Sequence, residues 1–498
     1  MEAISTENSE APAAISVRET VIFPDEALVI LKYPSSASLF TKDEINCIYL
    51  PPNSSQPQLQ LSPAAVDFDK ENHQIVRCQL PPRGTILSLA VKHNGNLAAG
   101  PMYRWDSLAY EAVIDGRDNT TLLFVKGLNL LWGEVADPSM FKCIYGSDLS
   151  NPRFVLWGDA VSAAQEIVRC RTPLSILNGS QRFDSFKVSV RVVGGETVNS
   201  IARLKHEWSP KVVGGSKQHK MCVCTMLRNQ ARFLQEWIVY HGRVGVQRWF
   251  IYDNNSDDNI EGVVEALVGG DYNVSRHLWP WIKTQEAGFA HCAMRARDSC
   301  EWVGFIDVDE FFHLPRGRQS LYEVVEKEPS DEVGEIRVSC HSFGPSGLNK
   351  VPEKGVMAGY TCRMGAPERH KSIIRPEGLN SSLMNVVHHF HLKSGLKHVD
   401  MKSSALVINH YKYQVWEVFK EKFHRRVAAY VSDWQEERNL DSKDRAPGLG
   451  TKPVEPADWS RRFCEVNDTG LRNRVLETFT DPQTGYLPWE DQPHESLT

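Results

Sequence analysis

The rhythm of hydrophobic and polar positions changes near residue 216. From about residue 17 to residue 200, short apolar runs alternate with turn signals. Thr20-Val21-Ile22-Phe23, Ala27 to Leu31, Ile86 to Val91, Leu122 to Val125 and Phe186 to Val192 read as strands. Pro51-Pro52-Asn53, His93 to Asn96, Asp115-Gly116 and Gly194-Gly195 read as the turns between them. Strands at this spacing, without a long helical pattern, predict an all-β sandwich. Its aromatics, Trp105, Trp132 and Trp157 among them, fit either a core or a stacking platform for sugars. Residues 1–16 carry no periodicity and read as disordered, and residues 201–217 read as a linker.

From residue 218 to about 480 the period lengthens. Met221 to Leu227 is an apolar run that reads as a buried strand. A helix follows from about Gln230 to His241, with Phe233, Leu234, Trp237 and Ile238 on one face and Gly242 and Gly245 closing it. Trp249 to Tyr252 is a second strand. A further helix, about Glu286 to Trp302, leads to a third strand that ends at Asp307-Val308-Asp309-Glu310. Strand, helix and strand in this order predict a parallel α/β unit, Rossmann-like in its winding. A helix from about Gln414 to Trp434 carries Lys420, Lys422, His424, Arg425 and Arg426, and residues 481–498 form a loosely ordered tail.

In open α/β sheets ligands bind beyond the carboxyl ends of the strands, and Arg228, Asp253, Asp307 and Asp309 all fall there. Two carboxylates two residues apart at a strand end suit a hard divalent cation, Mn²⁺ or Mg²⁺. Such an ion clamps a departing diphosphate. The Gly-rich loop Gly344-Pro345-Ser346-Gly347 follows another strand, and its small residues permit close backbone approach to a sugar or serve an ordinary turn. Histidines at His388, His389, His391 and His410 fit either structural roles or a carboxylate-bound metal.

Composition narrows the class. The 498 residues are 41% hydrophobic and 24% charged with a net charge of −6, which argues against a general nucleic-acid binder. No uncharged apolar run reaches the ~18 residues of a membrane span, and the N-terminus is not a signal peptide. Asn-x-Ser/Thr acceptors stand at Asn53, Asn119, Asn178, Asn254, Asn273, Asn380 and Asn467. Chance alone supplies about two or three, so the excess points to a secretory lumen. The 11 cysteines agree, and their odd number leaves at least one thiol free or paired between chains. A lumenal protein of this kind implies an N-terminal anchor outside the present chain.

The motifs Leu227-Arg228-Asn229, Glu236-Trp237, Tyr240-His241, Ile251 to Ser256, Asp307 to Phe311, Phe343 to Gly347 and Asn409-His410-Tyr411 together resemble glycosyltransferase family 92 over about residues 218–435. The resemblance implies a GT-A catalytic domain preceded by a carbohydrate-binding-module-like β domain. It further implies an inverting, metal-dependent β-1,4-galactosyltransferase of the Golgi lumen. UDP-galactose would be the donor, the β-1,4-galactan side chains of pectic rhamnogalacturonan I the acceptor, Mn²⁺ the cofactor, and a homodimer a conceivable assembly. By motif, Asp307, Asp309 and His410 would hold the metal. Arg228 and Asp253 would lie around the uridine, and Gly344, Ser346 and Gly347 would line the donor sugar or acceptor.

An inverting transfer needs a base for the acceptor hydroxyl. Glu368 and Asp400 are the candidates, and Lys371 and Arg375 are candidates to neutralise phosphate or orient the acceptor. The competing readings are a carbohydrate-binding protein with a degenerate transferase domain, and a family 92 transferase using another UDP-sugar.

Overall fold

The computed structural model describes residues 15–490 except 33–38, 55, 70–72, 93–96, 132, 150–152, 154, 179–185, 206–215, 318–319, 328–330 and 423–453. The chain divides into two compact units, residues 1–131 with 136–206 and residues 132–135 with 207–498. Among the described residues no helix is long and apolar enough to cross a membrane.

In the first unit the single sandwich expected from strand spacing is replaced by two β cores. A five-stranded and a four-stranded sheet close on Val29, Leu31, Tyr49, Val76 and Leu89, with Cys47–Cys78 bridging Ile45–Leu50 to His73–Gln79. An eight-stranded sheet built from Leu108 onwards encloses Leu123, Val125, Tyr145, Val168 and Val188, and carries Cys143–Cys170. Trp105 is core, in edge contact with Phe23. Trp157 is 44% exposed, with the Arg191 guanidinium 5.3 Å from its ring centre. Trp132 lies outside the described residues. Leu204–Lys205, expected in the linker, pairs parallel with Leu108–Asp115.

The second unit is built on a mixed nine-stranded sheet flanked by helices, with two small two-stranded sheets beside it. Its strands are β1 (His219–Leu227), β2 (Arg248–Asp253), β3 (Val274–Leu278), β4 (Cys300–Phe305), β5 (Glu310–His313), β6 (Val333–Ser342), β7 (Arg369–Ile374), β8 (Lys397–Asp400) and β9 (Val407–His410). The order is β3-β2-β1-β4-β7-β6-β9-β5, with β8 also on β6. The first four are mutually parallel, and β6 and β9 point the same way, whereas β7 and β5 run against them. The carboxyl ends of β1, β2, β4, β6 and β9 therefore share one edge with the amino ends of β5 and β7.

Helix α1 (Ala231–Val244) buries Phe233, Leu234, Trp237, Ile238 and Tyr240, the stripe its periodicity predicts, and stops at Gly245 with φ 109°. Helix α2 is Ile260–Gly269. Helix α3 is Gln285–Ala296, shorter than the expected Glu286 to Trp302, because Cys300–Phe305 is drawn into parallel pairing with β1. Tertiary hydrogen bonding overrides a helical local pattern there. Cys222–Cys300 ties β1 to β4 and Cys224–Cys292 ties β1 to α3. Cys362–Cys464 is a third bridge in this unit, and Cys340 is a buried free thiol. The basic helix expected from about Gln414 is described over 416–422; His424, Arg425 and Arg426 lie outside the described residues.

Candidate active site

The acidic motif sits in the turn from β4 to β5. Glu310 N donates to Asp307 O at 3.0 Å, and Asp307 N donates back to Glu310 Oε2 at 2.9 Å, so backbone and side chain close the turn on each other. Strand β5 then runs antiparallel to β9, with Glu310 opposite His410. The Tyr411 amide donates to Asp309 O at 2.9 Å, fixing the turn against the end of β9. His410 Nε2 thus stands 3.4 Å from Asp309 Oδ2, and His410 Nδ1 stands 3.5 Å from Glu310 Oε1.

Two ammonium groups enter this acidic cluster. Lys371, near the amino end of β7, is 2.8 Å from Asp307 Oδ2 and 2.9 Å from Glu310 Oε2. His388 Nε2 lies 2.6 Å from the same nitrogen. Lys422, on the helix described over 416–422, contacts Asp309 Oδ2 directly. Burial alone would raise the Asp307 and Asp309 carboxyls, but Lys371 with His388, and Lys422 with His410, hold both well below the ordinary range. Glu310 is fully buried and rises to about 7; burial is the main cause, and Asp307 and Asp309 add to it against Lys371. Burial lowers His410 to about 4, so its imidazole is neutral near pH 7.

Beside this cluster, Lys412 Nζ lies 2.6 Å from Glu368 Oε1, and Ser342 Oγ donates to the other Glu368 oxygen. Burial raises the Glu368 carboxyl, yet Lys412 and the hydrogen bonds bring it below the ordinary glutamate value.

The other expected site residues divide. Asp253 ends β2 at the same edge, buried, with its carboxylate taken by Arg276 at 2.7 Å and by the Ser256 amide at 3.0 Å. Arg228 follows β1, partly exposed and 3.7 Å from Asp257. Arg375 lies at the opposite edge. Strand β7 is antiparallel to β4, so Arg375 comes beside the Trp302 ring at 4.6 Å, four residues or about 13 Å from Lys371. Asp400 is exposed and pairs with Arg337, about 16 Å of strand short of Ser342, which removes it from the base candidates.

The Gly-rich loop also takes a different meaning. A Cβ on Gly344 would meet Arg462 O at 2.5 Å and Phe463 O at 2.7 Å, so the close approach that glycine permits there is to the chain's own backbone. Ser346 Oγ accepts from the Thr361 and Cys362 amides, both at 2.9 Å, and Gly347 N donates to Ser460 O at 2.7 Å. The open space is at Gly347, where φ is +83° and a Cβ would meet nothing.

Among the described residues no three His, Cys, Asp or Glu side chains gather closely enough to hold a metal. Of the expected triad, Asp309 and His410 come together, while the Lys371 ammonium draws Asp307 to its own side. A divalent cation nevertheless fits the donor set. His410 Nε2 is buried with no hydrogen-bond partner beside the Asp309 carboxylate, and Asp307 is a second ionised carboxylate in the same turn. The sequence gives no local signal for Lys412: the chain turns just after β9, where Lys412 N donates to His410 O at 2.8 Å. Glu310 was legible as a carboxylate, but its contacts with Asp307 N and Lys371 were not.

One sheet edge thus gathers paired carboxylates, a neutral imidazole and two lysine ammonium groups. The model of glycosyltransferase family 92 matches residues 217–445. A family 92 protein of Ricinus communis is 58% identical over 98% of this chain and 90% of its own length. One of Oryza sativa subsp. japonica is 51% identical, covering 96% and 82%, and one of Arabidopsis thaliana 48%, covering 97% and 86%. The chain belongs to glycosyltransferase family 92. Among solved structures, a mannosyltransferase of Pyrobaculum calidifontis in complex with GDP-Man and Mn²⁺ is 13% identical with a TM-score of 0.28, covering 45% of this chain and 65% of that one.

Proposed function

We propose that this glycosyltransferase is a GT-A-type, inverting β-1,4-galactosyltransferase that moves galactose from UDP-galactose to growing β-1,4-galactan. The observation that carries the reaction type is the convergence of Asp307, Asp309, Lys371, Glu368 and His410 at one sheet edge inside the segment matched to the family. The donor sugar and the polymer rest on the motif resemblance.

Asp307, Asp309 and His410 are the residues that would hold Mn²⁺ or Mg²⁺; when bound, the ion supplies charge neutralisation to the departing diphosphate. Lys371 keeps Asp307 ionised and in place. Glu368, ionised between Lys412 and Ser342, takes the proton from the acceptor hydroxyl, the role Asp400 is too far away to fill. Gly347, open to solvent, is the part of the loop that meets the sugars.

Five disulfides and seven acceptor motifs support a lumenal site of action, with Golgi residence as the reading. The first unit would hold the polymer, with Trp157 as a stacking surface.

The test is UDP release from UDP-galactose with and without Mn²⁺ in the presence of short β-1,4-galacto-oligosaccharides. Metal-dependent release with acceptor elongation supports the proposal. Activity only with another UDP-sugar overturns the galactan assignment and keeps the reaction type. Glycan binding without turnover on any donor favours a binding protein.

A further inference from the structure

The carboxylate that a divalent cation would need is already held by a cation of the chain. Lys422 Nζ contacts Asp309 Oδ2, and both side chains are largely buried, at 12% and 9% exposure. The contact is anchored: Val418 on the same helix packs into the main core, and Phe419 packs with Tyr413 and Trp459. His410 Nε2, 3.4 Å from the same carboxylate oxygen, has no hydrogen-bond partner.

We infer that Lys422 is a diphosphate-binding residue whose ammonium holds Asp309 until the metal and nucleotide arrive, and then leaves Asp309 to pair with the nucleotide diphosphate. The inference rests on reading Asp309 and His410 as metal ligands.

Charge balance gives the physical reason. The ionised Asp307 and Asp309 carboxylates are each paired with an ammonium, Lys371 and Lys422, while Glu310 beside them is raised to about 7. A dication taking Asp309 cannot share that oxygen with an ammonium at contact distance, because like charges repel strongly in a poorly hydrated site. The displaced ammonium stays within reach on its four-carbon stem. The incoming diphosphate brings negative charge that a lysine binds well as a mobile point charge. Lys371 cannot take this part, since Asp307, Glu310 and His388 already surround it.

The two halves of the inference have opposite signs in one variant. In Lys422→Met the competitor for Asp309 is gone, so Mn²⁺ alone, followed by electron paramagnetic resonance of the free ion, should bind on the order of tenfold more tightly. With Mn²⁺ saturating, UDP binding measured by calorimetry should weaken on the order of tenfold. Lys420→Met, exposed on the same helix, should change neither constant. Weakening of both constants by Lys422→Met, or no change in either, overturns the inference, as does an equal effect of Lys420→Met. Wild-type protein that binds Mn²⁺ while Lys422→Met binds it no more tightly removes this inference alone. Wild-type protein that binds no Mn²⁺ removes the metal reading and this inference with it.

Discussion

His410 Nε2 stands 3.4 Å from Asp309 Oδ2, and the two meet because β9 and β5 pair with His410 opposite Glu310. One register thus joins the acidic turn to the histidine. A slip of one residue would turn the imidazole to the other face of the sheet. Asp309→Asn keeps the shape and removes the charge. It should lower metal-dependent UDP release by about a thousandfold or more while leaving the fold intact. Turnover retained with Mn²⁺ would sink the metal assignment.

Lys371 is the buried cation between Asp307 and Glu310. Lys371→Met leaves two carboxylates facing each other in a dry site, and should destabilise the second unit by about 3–5 kcal/mol in urea unfolding. Adding Glu310→Gln should recover part of that loss. A single variant as stable as wild type would show that Lys371 does not hold the turn together.

Glu368→Gln tests the base. The expected outcome is a fall in kcat of about 10²–10⁴ with UDP affinity unchanged. Because Lys412 holds the Glu368 carboxyl below the usual glutamate value, the acid limb of kcat/KM should lie below that of an ordinary glutamate. Equal losses of UDP binding and kcat would assign Glu368 to donor binding.

His241 gives a pH dependence of stability. Its Nδ1 donates to Trp237 O at 2.7 Å and its Nε2 accepts from the Phe312 amide at 3.3 Å. Burial lowers it from 6.5 to about 3. Between those values the unfolded chain takes up a proton that the folded chain refuses, so stability falls as pH falls, at up to about 1.4 kcal/mol per pH unit. From pH 7 to pH 5 the contribution lost approaches about 2 kcal/mol. Buried Glu236 and Glu310, both raised to about 7, act with the opposite sign in wild type and variant alike and cancel in the comparison. His241→Gln should therefore lose less stability than wild type over that interval, measured by denaturant midpoints. Parallel pH profiles would refute this.

Gly344→Ala separates two meanings of the Gly-rich loop. A Cβ at 2.5 Å from Arg462 O forces the crossing segments apart and should cost about 1–3 kcal/mol of stability. An unchanged stability with a raised acceptor KM would return Gly344 to the sugar site.

The sequence alone carried the chemistry and the local periods. Helix α1 was legible because Phe233, Leu234, Trp237 and Ile238 repeat at the helical interval and Gly245 ends it. The Asp307-Val308-Asp309 turn and the strand ends at Arg228 and Asp253 were legible because apolar runs stop there. Family membership was legible because the motifs keep their order. The tertiary structure alone decided which end of each strand reaches the site. Lys371 on β7 and Arg375 just past its end lie four residues apart, yet antiparallel pairing of β7 with β4 sends one into the acidic cluster and the other to the far edge. Parallel pairing with β6 stops Asp400 opposite Arg337, and the 462–463 crossing claims Gly344. Local sequence sets which side chains a segment presents. Direction and register are fixed by hydrogen bonds between segments far apart in the chain, which no local pattern encodes.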